Sequence, residues 1–456
     1  MKLKQRIIIG MTCMVAWFTI YKMFQGVNDD EETILNDLRL AEKPIVPQKV
    51  IKNAENEQKP DDVIEKPNDV IENSPMFIKQ DSAARNEFVQ SELDRLQLDF
   101  QAADVSDFKK LYKVAGSWVN ERQIYPYQHP ELAAILKLMA SAKIMKADAL
   151  PKGTQIKLLL VLEGGQRVVF KQKRYARDHI IEGKPYDGYD RHNAEIAAFH
   201  LDRILDYRRS PLVVGRVLNL KTEIMPVATT RLLDTFREKD GNICYFGVCL
   251  YCNEKNMACG DGDVIEGSVT LWLPEKWSVF EKLRHPYQRT YVDNRMARWE
   301  KDETYCEKVV KHQPPYDRGT RLLDVTDAAV FDYLIGNADR HHYEIFKNKS
   351  KDAMLLMLDN AKSFGNPSHH EPSILAPLRQ CCILRNSTWI KLQKLSGGVL
   401  TQLLEAAMAN DPISPVLHPS HLNAVDVRLP TLIETMEKCI KDKTYNKVII
   451  EKWNGL

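Results

Sequence analysis

The chain has 456 residues, and its 64 Lys and Arg nearly balance its 62 Asp and Glu, which leaves a net charge of +2. This balance gives no reason to expect binding to nucleic acid or to an anionic membrane surface, so no nucleic-acid partner is predicted. A hydrophobic fraction of 44% is ordinary for a globular protein, and the length suffices for about two to four compact units.

The N-terminal segment carries the signals for cellular location. Three basic residues within 1–6 precede an apolar run that extends over 7–24. Positive charge before such a run favours a cytosolic N-terminus, which predicts a cytoplasmic tail, a signal anchor at 7–24 and a lumenal catalytic region. A cleaved signal peptide is the alternative, because the run is short for a span of ~20 residues. No Ala-x-Ala cleavage motif follows the run, which favours the anchor.

The next segment, residues 25–80, is polar and charged and contains five prolines between 44 and 75. It shows neither the period of a helix nor that of a strand. Such composition buries too little apolar surface to fold, so the sequence predicts a disordered lumenal stem.

Hydrophobic periodicity predicts an ordered region from about residue 81. Helical patterns cover 83–101, 130–147, 192–206 and 322–335, and strand patterns cover 155–162, 167–171, 213–224, 268–273 and 354–358. Glu163-Gly-Gly-Gln166 predicts a tight turn between the first two strands. Because strands dominate early and helices late, the predicted fold class is α+β. It has a strand-rich lobe at 81–225, a mainly helical lobe at 226–456 and a cleft between them.

Eight of the nine cysteines follow the predicted anchor. Four cluster at 244, 249, 252 and 259, which predicts a disulfide-rich insertion near 244–259, and four are dispersed at 306, 381, 382 and 439. An even count behind a secretory signal favours disulfides. The Cys249-x-x-Cys252 spacing leaves zinc binding as the alternative. Asn348-Lys-Ser and Asn386-Ser-Thr are possible glycosylation acceptors, which also fits a lumen.

Two acidic clusters indicate phosphoryl transfer. Asp339-Arg-His-His-Tyr-Glu344 follows a predicted helix, and Asp359-Asn-Ala-Lys-Ser-Phe-Gly365 follows a predicted buried strand. Protein kinases use this order, with one Asp orienting the acceptor hydroxyl and a second holding the metal on ATP. Asp339 is therefore the candidate catalytic residue and Asp359 the candidate metal ligand. For Asp359 alone, an ordinary acid at the end of a strand is the alternative.

Further candidates precede these clusters in the same order as in kinases. Lys171 ends a strand, and the following helix begins with Asp190 and Glu195, acids that can pair with Lys171 or reach a metal. The alternative is that these acids only stabilise the N-terminus of the helix through its dipole. There is no Gly-x-Gly-x-x-Gly motif, so side chains such as Gln155 and Lys171 are expected to contact the phosphates. Carboxylate ligands suit Mn²⁺ or Mg²⁺.

The chain resembles the secretory-pathway kinases related to four-jointed and the Golgi casein kinase. The resemblance extends over roughly residues 110 to 440 and is carried by segments 168–175, 189–203, 266–274, 333–344 and 358–365. It implies a two-lobed, atypical protein-kinase-like fold. It also implies roles for single residues: Asp339 in catalysis, Asp359 in metal and nucleotide binding, and Asp190 at the metal. Other members carry Glu at the position of Asp190, which leaves that role less direct.

The resemblance further implies a nucleotide site and a disulfide framework. Its ATP-binding positions correspond to Gln155, Lys171, Leu271, Trp272, Leu273, Pro274, Glu344 and Asp359. Its disulfide pattern corresponds to Cys244–Cys259, Cys249–Cys252, Cys306–Cys381 and Cys382–Cys439. Glu195 is expected to support Lys171.

The branch of the family that this chain resembles most implies a sugar acceptor. The expected reaction transfers the ATP γ-phosphate, with Mn²⁺, to the 2-hydroxyl of xylose in the galactosyl-xylose linkage of proteoglycans, at the Golgi membrane. A secretory-pathway serine kinase is the first rival, because the same catalytic set serves it. A pseudokinase that activates a partner and a non-enzymatic glycan-binding module are further alternatives, and retention of Lys171, Asp339 and Asp359 argues against the pseudokinase.

Overall fold

The computed structural model describes most of the chain from residue 82 onward, namely residues 82–151, 153–292, 294–347, 349–350 and 352–451. The predicted tail, anchor and stem, together with Cys13 and Asn348, lie outside these residues. Within the described ranges, no helix is both long and apolar enough to cross a membrane.

Helices and strands alternate in the first part of the described chain, and helices dominate the last part. The helices are α1 Ser82–Leu96, α2 Phe108–Trp118, α3 Leu132–Ser141, α4 His192–Leu205, α5 Thr230–Leu233, α6 Arg298–Lys301, α7 Tyr305–Lys308, α8 Arg321–Ile335, α9 Ala376–Cys381, α10 Asn386–Leu395, α11 Val399–Met408, α12 Pro419–Lys443 and α13 Tyr445–Val448. The strands are β1 Ile144–Ala149, β2 Leu158–Leu162, β3 Arg167–Gln172, β4 Val213–Asn219, β5 Phe236–Lys239, β6 Asn242–Tyr245, β7 Ala258–Cys259, β8 Val264–Leu271, β9 Phe280–Arg284, β10 His342–Phe346, β11 Leu384–Arg385 and β12 Ile449–Ile450.

A five-stranded antiparallel sheet, in the order β1-β2-β3-β8-β4, forms the strand-rich part. In its hairpin β2–β3, Leu158, Leu160 and Leu162 of β2 are buried, and the residues between them are only partly buried. Gly164 and Gly165 in the turn have φ angles of 87° and 86°, a conformation that glycine adopts without a steric penalty. The hairpin prediction is therefore confirmed.

Helix α4 lies between the sheet and the helical part of the structure. It contacts β4 and β8 on one side, and α1 and α11 on another. Every residue of α4 except Asn193 is buried, which is unusual for a helix of a soluble protein and shows that it is packed on all sides. Its position is consequently fixed by both parts of the fold.

Helix α8 is the centre of the helical part and is buried along all 15 of its residues. Two of its acids, Asp324 and Asp327, are fully buried and are paired with arginines from other segments. Arg209 lies 3.3 Å from Asp324 and 2.9 Å from Asp327, and Arg385 pairs with both. Removal of one partner would leave a buried charge uncompensated, so these pairs hold α8 in a defined place.

All eight cysteines after the predicted anchor form disulfides. The pairs are Cys244–Cys259, Cys249–Cys252, Cys306–Cys381 and Cys382–Cys439, the same pairs that the family resemblance implies. Zinc binding by Cys249 and Cys252 is therefore excluded here, because zinc needs free thiolates. The possible acceptor Asn386 starts α10, where its amide donates to Glu451.

The predicted strand at 354–358 is wrong. This segment is buried but forms only an isolated bridge, between Leu356 and Glu344. Its backbone N–H groups are satisfied by three separate neighbours instead of one strand: Met354 donates to Glu121, Leu356 to Glu344 and Met357 to Arg209. An apolar run reports burial, but it does not reveal where the backbone hydrogen bonds go.

The predicted lobe boundary at residue 225 also needs correction. Strand β8 pairs with both β3 and β4, so the strand-rich part extends at least to Leu271. The disulfide-rich segment near 244–259 is consequently an insertion between β4 and β8. Two smaller differences are that β4 ends at Asn219, followed by a π-helix over Leu220–Ile224, and that residues 144–149 form β1 instead of extending a helix.

Candidate active site

The ammonium of Lys171 contacts three carboxylates. Its Nζ lies 2.5 Å from Oδ1 of Asp359, 2.7 Å from Oε1 of Glu195 and 3.1 Å from Oδ2 of Asp190. Lys171 lies in β3 opposite Ser268 of β8, Glu195 lies in the first turn of α4, and Asp190 precedes that helix. The sheet, helix α4 and the Asp359 loop therefore meet at one atom. The structure brings together four of the predicted residues.

Electrostatics explain why the ammonium of Lys171 tolerates burial. Burial alone would lower the pKa of Lys171, but the charges of Asp190, Asp359 and Glu195 raise that pKa well above its usual value. In return, the Lys171 ammonium holds the pKa of Asp359 well below its usual range. Three acidic side chains thus surround one ammonium, which gives the contact a formal excess of negative charge. Such an excess favours binding of a divalent cation.

Asp359 has a strained backbone conformation and a largely exposed side chain. Its φ angle is 57°, in the left-handed region that non-glycine residues seldom adopt, and 69% of its side chain is exposed. The next residue, Asn360, donates its backbone N–H to Oε2 of Glu195 at 3.2 Å. Left-handed residues of this kind persist where neighbouring contacts enforce them and are concentrated at functional sites.

Asp339 follows α8, which ends at Ile335 and is capped by Gly336. Its backbone N–H donates to Oδ1 of Asn337 at 3.1 Å, and its own Oδ1 accepts the hydroxyl of Tyr291 at 2.9 Å. Burial raises the pKa of Asp339, and the hydrogen bond from Tyr291 acts in the opposite direction. Asp359 is close enough to raise this pKa further, so the two predicted aspartates share one site.

Arg340 joins the two aspartate loops, a role that the sequence did not reveal. Its guanidinium binds buried Asp332 of α8 through two nitrogens, at 2.6 and 2.8 Å. It also donates to the carbonyl of Leu358 at 2.8 Å and to Oδ1 of Asn360 at 2.7 Å. One side chain thus fixes the loop after Asp339 to the residues on either side of Asp359. The only sequence signal for this role was that Arg340 directly follows the candidate catalytic residue Asp339.

Lys362 is a second cation at the site that the sequence reasoning did not select. Its Nζ donates to the carbonyl of Gly188 and lies 3.9 Å from Oδ1 of Asp190. Its positive charge also lowers the pKa of Asp339. Lys362 therefore lies between the candidate metal ligand and the candidate catalytic residue.

Glu344 is placed beside the Asp359 segment through its backbone. It lies in β10, opposite Lys282 of β9, and its carbonyl accepts the N–H of Leu356 at 2.9 Å. Its carboxylate Oε1 lies 2.9 Å from Nε2 of His342, so in this structure its side chain pairs with a histidine and not with Lys171. Its role in nucleotide binding stays a prediction.

The remaining predicted nucleotide residues lie around the sheet. Gln155 is half-buried in the loop between β1 and β2, and Lys157 of the same loop is close enough to Asp359 to lower its pKa. Segment 271–274 begins at the last residue of β8 and lines a groove with α2 and the β2–β3 turn. There, Arg167 lies over the ring of half-buried Trp272, 5.3 Å from its centroid. Unlike half-buried Trp272, the aromatic residues Trp299 and Tyr343 lie in the core and are 4% and 0% exposed.

The donor set fits a hard divalent cation bound together with a nucleotide. Among the described residues, no group of three or more His, Cys, Asp and Glu is already arranged around a metal position. Asp190 and Asp359 nevertheless contact one common ammonium and supply carboxylate oxygens, the ligands that Mn²⁺ and Mg²⁺ prefer. Phosphate oxygens of a nucleotide would complete the coordination, as is usual for these cations.

These features define a kinase-like phosphotransferase. A buried lysine in the sheet is paired with a glutamate of the adjacent helix, and two aspartates on separate loops face the same site. This is the arrangement of catalytic parts found in protein kinases.

Comparison with known proteins defines the family. A family model described as Golgi casein kinase, C-terminal, Fam20 matches residues 110–448, and the chain belongs to this family. The human protein named glycosaminoglycan xylosylkinase is 59% identical over 340 residues, which cover 75% of this chain and 83% of that protein.

Solved structures of the family share the fold. A structure of hydra Fam20 with sugar is 50% identical, with a TM-score of 0.72, and the match covers 75% of this chain and 98% of that one. The Golgi casein kinase with Mn/ADP bound is 32% identical, with a TM-score of 0.72 and coverage of 81% and 94%. The prediction of a two-lobed, kinase-like α+β fold is confirmed.

Replacement of Arg340 tests its positioning role. Arg340→Lys keeps the charge near Asp332 but loses the planar, multiple hydrogen bonds, so kcat should fall by about 10- to 100-fold through misplacement of the two aspartates. Thermal unfolding should show a folded protein. The matched control is Arg318→Lys, which alters a half-exposed pair with Asp317 and should leave kcat unchanged. An unchanged kcat in Arg340→Lys would contradict the role.

Replacement of Lys362 tests its effect on Asp339. Lys362→Met removes a positive charge that lowers the pKa of Asp339, so that pKa should rise. Because the ionised form of Asp339 is required, the acidic limb of the pH profile of kcat/KM should move to higher pH. Lys362→Arg retains the charge and should keep the wild-type limb. An identical limb in the Met variant would show that Lys362 does not act on Asp339.

Proposed function

We propose that this protein is a kinase that transfers the γ-phosphate of ATP to the 2-hydroxyl of xylose in the glycan linkage region of proteoglycans. The contact of Lys171 with Glu195, Asp190 and Asp359, close to Asp339, is the observation that carries the phosphotransferase assignment. The sugar acceptor is supported by the 59% identity with human glycosaminoglycan xylosylkinase and by the hydra relative solved with sugar.

We assign each residue a role on the basis of its position and its chemistry. Lys171 binds phosphate oxygens of ATP, and Glu195 keeps its ammonium in place. Asp339 accepts a hydrogen bond from the acceptor hydroxyl and takes its proton as the new O–P bond forms. Asp190 and Asp359 hold Mn²⁺, the ion that a solved relative contains together with ADP. When bound, the ion neutralises phosphate charge.

The compartment follows from the covalent framework and the family. Four disulfides form and persist in an oxidising compartment, which supports a catalytic domain in the lumen of the secretory pathway. We extend this to a single-pass type II protein of the Golgi membrane, with the anchor at 7–24 and the stem at 25–80. This part of the proposal depends on the apolar run and its basic flank in the sequence.

A serine kinase of the secretory pathway is the second candidate. The relative solved with Mn/ADP is named a Golgi casein kinase and shares the fold at 32% identity. The catalytic set serves either acceptor, so the acceptor site decides between them. An inactive pseudokinase is disfavoured, because Lys171, Asp339 and Asp359 are present and Lys171 and Asp359 are already in contact.

Assay of the purified lumenal domain with two acceptors tests the proposal. With ATP and Mn²⁺, a galactosyl-xylose glycoside should be phosphorylated, and a casein-type peptide should not. Asp339→Ala should abolish transfer and leave the thermal unfolding profile close to wild type, since Asp339 lies in a loop after α8. If only the peptide is phosphorylated, the acceptor is serine and the proposed sugar acceptor is wrong. If Asp339→Ala keeps full turnover, Asp339 has no part in the mechanism.

A further inference from the structure

The hydroxyl of Tyr291 occupies a position on Asp339 that the acceptor needs. It donates to Oδ1 of Asp339 at 2.9 Å. A residue that orients an acceptor hydroxyl must itself accept a hydrogen bond from that hydroxyl, at about 2.6–3.2 Å between heavy atoms. Tyr291 therefore makes the contact that is expected of the substrate.

A second tyrosine supports Tyr291 from another segment of the chain. The ring of Tyr186 meets the ring of Tyr291 edge to face, with centroids 4.9 Å apart. Tyr186 belongs to the connection between β3 and α4, and Tyr291 to the connection between β9 and α6. The two rings, called the tyrosine pair below, thus join a segment that leads into α4 to one beside the catalytic Asp.

The tyrosine pair is exposed enough to move away from Asp339 and to contact a bound sugar. Tyr291 is 39% exposed and Tyr186 is half-buried, so neither ring is held in the core. His341 lies at the same place, with its ring 6.3 Å from that of Tyr291. Large amphipathic rings beside a hydroxyl-orienting carboxylate offer an apolar surface for the C–H face of a pyranose ring and polar atoms for its hydroxyls.

We propose that Tyr291 is a displaceable stand-in for the acceptor hydroxyl, and that the tyrosine pair forms the wall against which the acceptor sugar packs. Without acceptor, the phenol hydroxyl holds Oδ1 of Asp339 and keeps water away from it. On binding, the sugar hydroxyl replaces the phenol on Asp339. Its oxygen then forms the bond to the γ-phosphorus as the bond to ADP breaks, and its proton passes to Asp339. This inference rests on the proposed function.

Two substitutions at Tyr291 separate its hydroxyl from its ring. Tyr291→Phe removes the competing hydrogen bond but keeps the ring, so the acceptor KM should fall about threefold to tenfold, the range of one net hydrogen bond. Tyr291→Ala also removes the ring, so the acceptor KM should rise. Both variants should raise ATP hydrolysis without acceptor several-fold, because water gains access to Asp339. The matched control is Tyr251→Phe, at an exposed position in the disulfide-rich insertion, which should behave as wild type.

The test measures acceptor KM, kcat and acceptor-independent ATP hydrolysis of the full lumenal domain with Mn²⁺ and a galactosyl-xylose glycoside. A lower kcat in Tyr291→Phe, with KM and hydrolysis unchanged, would show that Tyr291 merely orients Asp339 and would overturn the inference. KM shifts of the same sign in the Phe and Ala variants would also overturn it.

The two proposals fail in different ways. If wild type phosphorylates the disaccharide and Tyr291→Phe leaves both the acceptor KM and ATP hydrolysis unchanged, only the stand-in role is wrong. If wild type phosphorylates a casein-type peptide instead, the sugar acceptor is wrong. The measurement of ATP hydrolysis contains no acceptor. It therefore tests whether Tyr291 protects Asp339 from water even if the sugar acceptor is wrong.

Discussion

The charge balance around Lys171 is the constraint on which the site depends. One buried ammonium is within 3.1 Å of three carboxylates that come from the connection before α4, from α4 itself and from the Asp359 loop. Without Lys171, these acids would repel one another in a partly desolvated place. With it, the ammonium offsets part of this repulsion, and three acids around one cation leave a formal excess of negative charge that favours a divalent cation. Helix α4 must therefore be fixed, and its burial between the sheet, α1 and α11 fixes it.

Buried acids are also compensated by basic side chains in the helical part of the structure. Asp332 of α8 is buried and is compensated by Arg340, which also reaches the carbonyl of Leu358 and the side chain of Asn360. The buried acids Asp324 and Asp327 are likewise paired with arginines of other segments. Asp324 and Asp327 thus anchor segments far away in sequence, and Asp332 anchors Arg340, which in turn contacts the Asp359 loop. This network gives the loops of Asp339 and Asp359 their fixed separation, which transfer of a phosphoryl group requires.

The sequence predicted what depends on residue type and order. Lys171 at a strand end, Glu195 in the next helix and the two aspartates of the acidic clusters could be selected because kinase chemistry needs those types in that succession. Arg340, Lys362 and Tyr291 could not, because their roles arise from contacts across 8 to 174 residues of sequence. The segment 354–358 shows a similar limit, since apolar residues report burial and not the partners of the backbone.

Titration calorimetry of Mn²⁺ with ADP tests most directly whether the carboxylates at Lys171 form the nucleotide–metal site. The wild-type lumenal domain should bind the pair, and Asp359→Asn should bind it at least about tenfold more weakly, because the loss of even an outer-shell partner of a metal ligand typically lowers metal affinity by about 10- to 100-fold. Thermal unfolding should show that the variant is folded. Equal affinities of the wild type and Asp359→Asn would contradict this assignment of the metal site.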